Sequence, residues 1–437
     1  MAAFQTPKGT YDILPDDWPY WRLVIETVEA MARRYGYRRI DTPMFEATEL
    51  FDRGAGPSSD VVTKEMYTFE DKGGRSLTLR PEPTAPVVRA YIQHGMHKLP
   101  QPVRLYYVAV PMFRYDEVQE GRYRQFHQFG VEALGEQSAA IDVEVISLLR
   151  DVYLALGLRD LTLAINSTGC PLCRPAYVER LVAYYRDHYD TICEDDHRRL
   201  QLNPLRVLDC KKPQCQPIAN GAPHILDYLG PECRTHWDEL LHLLAVQEIA
   251  YTINHRLVRG LDYYTKTCFE FWPQREGAQS TVGGGGRYDG LAELLGGPPT
   301  PGIGFGSGVE RVILNLRDQG IQQPSESRPL AYVAYLGDEV RDEAFRLLAR
   351  LRAAGIGAGA TATPRKLGDQ LRRAEGMAAR YAVIVGPDEL AAGQVGVRDL
   401  AARTQEPVPL DAVVQWLQER AISRQPSVIS TKLMADR

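Results

Sequence analysis

The chain has 437 residues, more than one hydrophobic core usually supports, so two or three domains are expected. With 44% hydrophobic and 24% charged residues its composition is that of an ordinary globular protein, and a net charge of −5 excludes a uniformly basic nucleic-acid coat while allowing local basic patches. It has no run of about 18 apolar residues and no basic-then-apolar signal in MAAFQTPKGTYDILPDDW, which predicts a cytoplasmic protein without membrane spans.

From Trp18 to Tyr35, apolar residues recur at helical spacing (Trp21, Val24, Ile25, Val28, Met31, Ala32) and stop at Gly36, predicting an amphipathic helix. Arg39 to Phe45 reads as a short strand that Pro43 confines to a sheet edge or an interface. Phe51 to Ser59, rich in Gly, Pro and Ser, reads as a loop. Met66 to Phe69 and Ser76 to Leu79 form a strand pair around Asp71-Lys72-Gly73-Gly74. RPEPTAP then leads into a short helix, Pro86 to His94, and sets Arg80, Glu82 and Thr84 on an irregular loop, where functional polar groups often sit. Next, an apolar run from Leu105 to Phe113 closed by Arg114, a charged loop around Gly121 and an alternating stretch from Gln125 to Leu134 predict a long antiparallel hairpin.

A helix follows from Ala139 to Leu156 and a strand from Leu161 to Asn166. Residues 169–248 carry long polar helices with clustered Cys, His and Pro, and read as an insertion into one sheet. That sheet resumes at Tyr251 to Asn254, Cys268 to Trp272, Ser280 to Gly283 and Gly302 to Gly306, with a helix from Val309 to Arg317. Residues 1–168 and 249–323 thus form one domain, 324–329 a linker by composition, and 330–421 a small α/β domain of alternating strands and helices. The polar tail 422–437 is expected to fray.

Four polar segments stand at strand ends or loops: RPEPT at 80–84, the hairpin, LVRGLDYYT at 257–265 and GFGSGVER at 304–311. Each combines arginine or carboxylate with glycine or tyrosine, as expected where side chains and backbone converge on one ligand. The hairpin's Arg114, Arg122 and Arg124 are permanently charged forks suited to phosphate, and Gln128 and Glu132 keep one face of its second strand polar. Such a face either meets water or lines a polar pocket. In GFGSGVER the glycines let a helix begin close to a sheet and a ligand, with Arg311 in the first turn. The glycines of VGGGGRYDG permit either close approach or a flexible turn.

Together these segments resemble the histidyl-tRNA synthetase family of class II aminoacyl-tRNA synthetases, from PKGTYDILP to VRDL. Residues 35–43 are similar to motif 1, the dimer-forming element; FRYDEVQEGRYRQFHQFGVE to motif 2; GIGFGSGVERVIL to motif 3. LVRGLDYYT and GGGGRYDGL are similar to segments peculiar to the histidine enzymes. The resemblance implies an α+β catalytic domain, an antiparallel sheet flanked by helices, with a mainly helical insertion and a C-terminal α/β anticodon-binding domain. It also implies a homodimer that uses ATP with Mg2+, L-histidine and tRNA(His): the histidine carboxylate attacks the ATP α-phosphate, and histidine then passes from the adenylate to the terminal ribose of tRNA.

By the same resemblance Arg114 and Arg259 are the catalytic pair, gripping the α-phosphate from opposite sides, and Arg311 and Arg122 hold the outer phosphates, with Gly306 and Gly308 at the nucleotide. Glu82, Thr84 and Gln128 face the histidine amino group. Glu132 and Tyr264, with Tyr263 and Tyr288, surround the imidazole. Pro83 stands where the family usually carries glycine, and proline has no backbone N–H to offer there. The alternative is the inactive synthetase-like paralogue that regulates ATP phosphoribosyltransferase in histidine biosynthesis. Such paralogues usually lack the C-terminal domain.

The seven cysteines are an odd number in a large chain, which fits reduced thiols or metal ligands better than a disulfide framework. The histidine enzymes this chain resembles do not require zinc for their chemistry. The spacings inside the insertion permit structural zinc, with Cys170, Cys173, Cys210 and Cys215 as candidate ligands, and equally fit thiols packed in a helical subdomain.

Overall fold

A computed structural model describes residues 4–56, 61–115, 117–118, 121–274, 281–322, 328–363 and 365–422. The chain divides into two compact units, Met1–Pro324 and Ser325–Arg437.

In the first unit the strands are, in chain order, β1 (Arg38–Arg39), β2 (Phe45–Ala47), β3 (Tyr67–Glu70), β4 (Ser76–Leu79), β5 (Val103–Phe113), β6 (Gln125–Leu134), β7 (Leu161–Ser167), β8 (Thr252–Ile253), β9 (Thr265–Pro273), β10 (Gly283–Arg287) and β11 (Gly302–Gly308). Eight of them form one sheet in the order β1-β5-β6-β11-β10-β9-β7-β8, and β2-β4-β3 form a small second sheet. The five central pairings are antiparallel; only the two edge pairs, β1 with β5 and β7 with β8, run parallel. The helix Trp18–Arg34 buries Trp21, Val24, Val28 and Met31, the stripe read from its spacing, against this sheet together with Ala139–Ala155. Trp237, Leu240 and Leu244 of Pro231–Val246, the last helix of the insertion, belong to the same core. The rest of the insertion has its own small core around Tyr177, Leu181, Tyr185, Val207 and Leu208.

Several local expectations need correction. Residues 39–45 are not one strand: β1 joins the large sheet, β2 the small one, and Pro43, which cannot donate to a ladder, lies between them. The loop expected from Phe51 is instead a helix, Thr48–Ala55, because Phe51 is fully buried and Gly54 sits against Ala85, so packing overrides the Gly-rich composition; residues 57–59 lie outside the described residues. Thr84 is not on an irregular loop but begins the helix Thr84–Gln93. The glycines of VGGGG form strand β10 rather than a turn, a few residues beyond the expected one, whose Ser280 lies outside the described residues.

In the second unit β12 (Ala331–Tyr335), β13 (Ala358–Ala360), β14 (Tyr381–Val385), β15 (Gln394–Asp399) and β16 (Thr404–Pro409) make a sheet in the order β13-β12-β14-β15-β16, parallel over its first three strands. Its core joins Val333, Val383 and Val397 to Leu347 and Leu351 of the helix Arg341–Ala353. Strand β16 has no counterpart in the sequence reading, since TQEPVP carries a proline and a charge and pairs only at the sheet edge. Residues 324–327 of the linker and 423–437 of the tail lie outside the described residues.

Candidate active site

The hairpin β5–β6 lies beside β11 and β10, and these four adjacent strands carry the site. In register, Glu132 of β6 stands opposite Leu105 on one side and Gly304 on the other, and Gln128 opposite Val110 and Gly308. The glycines are cleared ground. A Cβ on Gly304 would lie 1.9 Å from Glu132 Oε2, one on Gly302 2.4 Å from the Tyr288 ring, one on Gly286 3.0 Å from the Tyr264 ring, and one on Gly284 3.2 Å from Arg259 Nη1. Side chains therefore lie across a glycine floor that no larger residue would leave open.

Glu132 is 1% exposed. Its Oε1 accepts from Thr84 Oγ1 at 2.9 Å and lies 3.4 Å from the Tyr107 hydroxyl, while Oε2 accepts from the Tyr288 hydroxyl. Burial, with the neighbouring Glu82 adding to it, pushes the Glu132 carboxyl up to about 8, against the lowering effect of the hydroxyl donors. Rings of Tyr263 and Tyr264 lie 4.8 Å apart, and Tyr263 meets Tyr288 edge-on at 5.8 Å. Tyr107, absent from the sequence reading, was hidden in the apolar run of β5; the signal was its period-two spacing from Leu105 beside a buried carboxylate.

Glu82, also buried and raised by burial, accepts from Thr84 N at 2.7 Å and Ala85 N at 3.0 Å, capping the helix Thr84–Gln93. Pro83 occupies the N-cap position, and its carbonyl accepts from Val87 N. The missing N–H of Pro83 leaves no gap in the helix start, because the Glu82 carboxylate serves the next two amides. Gln128 is half-buried near Gly306, where an added Cβ would sit 3.6 Å from its amide group.

The candidate arginines lie on the neighbouring segments. Arg259 pairs through Nη1 with Glu270 Oε1 and lies 5.2 Å above the Tyr264 ring; Glu270 Oε2 accepts from Trp272 Nε1 and Thr281 Oγ1, each at 2.7 Å. Burial works against the Arg259 charge, but Tyr264 and Glu270 hold its pKa above the ordinary value. Arg114 Nε donates to the Pro81 carbonyl at 2.8 Å, with Nη1 3.9 Å from Glu65, so it braces the loop that carries Glu82. Arg311 Nε donates to Gly121 O at 3.2 Å and Nη1 to Thr281 O at 2.9 Å, tying the hairpin tip to the entry of β10. Gly306 and Gly308 line β11 ahead of it, and Arg122 is exposed on the tip. Arg80 is turned away from the pocket: 3% exposed, it donates to the carbonyls of Pro111 and Thr42, a structural role.

The four candidate cysteines fall into two separate clusters. Cys170 and Cys173 gather with Cys233, whereas Cys210 and Cys215 gather with Cys193 and Asp196. Cys233 joins Cys173 from a helix some sixty residues later.

An antiparallel sheet with a hairpin and glycine-floored strands gathering arginines around a buried acidic pocket is the architecture of a class II aminoacyl-tRNA synthetase catalytic domain. A family model described as "Histidyl-tRNA synthetase" matches residues 9–170 and 224–312, and one described as "Anticodon binding domain" matches 330–420. A histidine–tRNA ligase from Pelotomaculum thermopropionicum is 51% identical over 96% of this chain and 99% of its own, and one from Moorella thermoacetica 52% identical over 94% and 97%. The crystal structure of apo S. aureus histidyl-tRNA synthetase is similar with a TM-score of 0.81 at 39% identity, covering 95% of this chain and all of that one. The chain belongs to the histidyl-tRNA synthetase family.

Proposed function

We propose that this site activates L-histidine with ATP, forming histidyl-adenylate and pyrophosphate, and then transfers histidine to tRNA(His). The chain is an aminoacyl-tRNA ligase of the histidine family, and the observation that carries the reading of its site is Glu132: a fully buried carboxylate held by Thr84, Tyr107 and Tyr288, with Glu82 as its acidic neighbour. A polar ligand with N–H donors satisfies such a group at little desolvation cost, and an imidazole fits between the Tyr263, Tyr264 and Tyr288 rings. Glu82, Thr84 and Gln128 take the amino group, with Pro83 shaping the loop without contributing an amide.

The reaction gathers negative charge on a pentavalent phosphorus, so fixed guanidinium groups are the main source of stabilisation. Arg114 and Arg259 hold the α-phosphate, Arg311 and Arg122 the outer phosphates, and Gly306 and Gly308 leave room for the nucleotide. Mg2+ arrives with the phosphates of ATP as part of that substrate. Residues 1–168 and 249–323 act as the catalytic domain, 169–248 as an insertion beside it, and 330–421 as the anticodon-binding domain.

The similarity of residues 35–43 to the dimer-forming motif supports a homodimer, as do the exposed Met44, Phe45 and Phe69 at and beside the small sheet. No described helix is long and apolar enough to cross a membrane, and a cytoplasmic location fits the family's tRNA substrate. The regulatory reading is less supported, given ligase relatives at about 50% identity and the matched C-terminal domain. Histidine-dependent ATP–pyrophosphate exchange tests the proposal: exchange with histidine and with no other amino acid is expected, and no exchange from folded protein would favour the regulatory role.

A further inference from the structure

Within the insertion, Cys193, Asp196, Cys210 and Cys215 are all buried, with one ligand atom of each lying within 4.8 Å of the others. Local structure brings them there. Cys193 precedes the helix Glu194–Leu202, whose first turn carries Asp196; Cys210 follows the turn Pro204–Asp209 and Cys215 ends the turn Pro213–Cys215.

Three features of this cluster point to a bound cation. First, Cys193 Sγ and Cys210 Sγ are 3.7 Å apart, far beyond the ~2.05 Å of a disulfide. That separation matches the edge of a tetrahedron of sulfurs around zinc, roughly 3.8 Å for Zn–S bonds of ~2.3 Å. Second, Cys193 N–H donates to Cys215 Sγ at 3.4 Å, so a sulfur serves as acceptor, as sulfurs of metal-bound thiolates do. Third, Asp196 is 0% exposed; Oδ1 takes Arg199 Nη1 at 2.9 Å, but Oδ2 has no hydrogen-bond donor among the described residues. A buried carboxylate oxygen without a donor is costly, and a cation among the three sulfurs removes that cost. Arg199 and Lys212, the latter 3.0 Å from Asp195, supply positive charge around the cluster.

We propose that Cys193, Cys210 and Cys215 as thiolates, with Asp196 Oδ2, bind one tetrahedral zinc-class divalent cation. Each thiol gives up its proton to solvent as the metal enters. Four protein ligands close the coordination sphere, so the site is structural.

Its placement says what it supports. Arg256 donates through Nε to Leu208 O at 3.1 Å, through Nη2 to Cys210 O at 3.3 Å and through Nη1 to Gln216 Oε1 at 2.9 Å. Asn203 Nδ2 donates to Asp262 Oδ1 at 2.7 Å, and Arg206 Nη1 to Gly260 O at 3.2 Å. The metal loop is therefore fastened to the segment that carries Arg259 and Tyr264. This supporting role rests on the proposed function of Arg259; metal binding does not.

Elemental analysis of the full-length protein, expressed with zinc and purified without chelator, is expected to find a cation that Cys210→Ser loses by about one equivalent. Adding Co2+ to the metal-stripped wild-type chain is expected to give the intense visible bands of tetrahedral cobalt and a sulfur-to-cobalt charge-transfer band. In case the variant does not fold, alkylation of the wild-type chain before and after chelation is mapped by mass spectrometry, with Cys193, Cys210 and Cys215 becoming reactive only after chelation. Metal-free wild-type protein that takes up no Co2+, unchanged zinc in folded Cys210→Ser, or equal thiol reactivity in both states would overturn the site. Hydrogen exchange at residues 256–262 tests the supporting role apart from the metal: it is expected to rise on chelation, and no change would overturn that role alone.

Discussion

Replacing Glu132 with glutamine separates what the carboxylate does for the ligand from what it does to the fold. For histidine, a hydrogen bond to this protonated, neutral carboxyl contributes about 0.5–1.5 kcal/mol, so Glu132→Gln is expected to lower kcat/KM for histidine by roughly 2- to 12-fold at neutral pH, with the KM for ATP nearly unchanged. For the empty fold the effect has the opposite sign. Native Glu132 keeps its proton up to about 8, while in the unfolded chain it releases it near the ordinary 4.5. Between those values the native state binds more protons, so stability is lost as pH rises through the interval, and at ~1.4 kcal/mol per pH unit the scale is a few kcal/mol. Glutamine carries no such proton. Without ligand, the melting temperature of the wild type should therefore drop more between about pH 6 and about pH 8.5 than that of the variant, with Glu82 contributing the same trend to both. Parallel pH curves, or equal increases in the KM values for histidine and ATP, would refute the reasoning.

Arg259→Gln is expected to reduce histidine-dependent pyrophosphate exchange by about 100- to 1000-fold with little change in melting temperature, and a loss under about tenfold would remove Arg259 from the chemistry. Arg287 is fully buried, with Nε 3.0 Å from Asp142 Oδ1, Nη1 2.8 Å from Asp289 and Nη2 2.7 Å from the Glu136 carbonyl. Arg287→Met leaves Asp142 buried with His236 alone and should destabilise the fold by about 3–5 kcal/mol in denaturant titration, part of which Asp142→Asn should restore. Gly304→Ala drives a Cβ against Glu132 Oε2 and Val131 O, so its histidine KM should rise and its stability fall by about 1–3 kcal/mol, whereas Gly308→Ala, whose Cβ meets Arg311 at an ordinary 3.7 Å, should leave stability unchanged.

How legible the site was depended on the range of the interaction that placed each residue. The hairpin could be read because alternation along β6 is a local pattern: its bounds, Gln125 and Leu134, match the sequence reading, and Glu132 stands on the face its spacing from Gln128 demands. The arginines were visible because each lies in a segment with its own glycine or aromatic context. Tyr107 was not, because nothing local distinguishes a tyrosine whose hydroxyl meets a buried carboxylate from one that only packs. The glycines of β10 were left between close approach and a turn for a related reason: four glycines carry no alternation, and only the neighbouring side chains lying across them decide for close approach. Which cysteines share a cluster depends on long-range return. Cys170 and Cys173 form a local pair, but their third neighbour is set by where the helix Pro231–Val246 docks on the main core.

The same long-range logic accounts for the charges around the site. Arg259 is matched by Glu270, Arg114 by the Pro81 carbonyl, and Arg311 by the carbonyls of Gly121 and Thr281. Arg114 also lies 3.9 Å from Glu65, so an incoming phosphate must compete with a carboxylate at both Arg259 and Arg114. Glu270 is itself anchored by Trp272 and Thr281, which lets it keep one oxygen satisfied while the other releases the guanidinium. Arg259 is thus held in place beside Tyr264 by the fold itself, so under the proposed function the cost of orienting it falls on the fold rather than on the substrate.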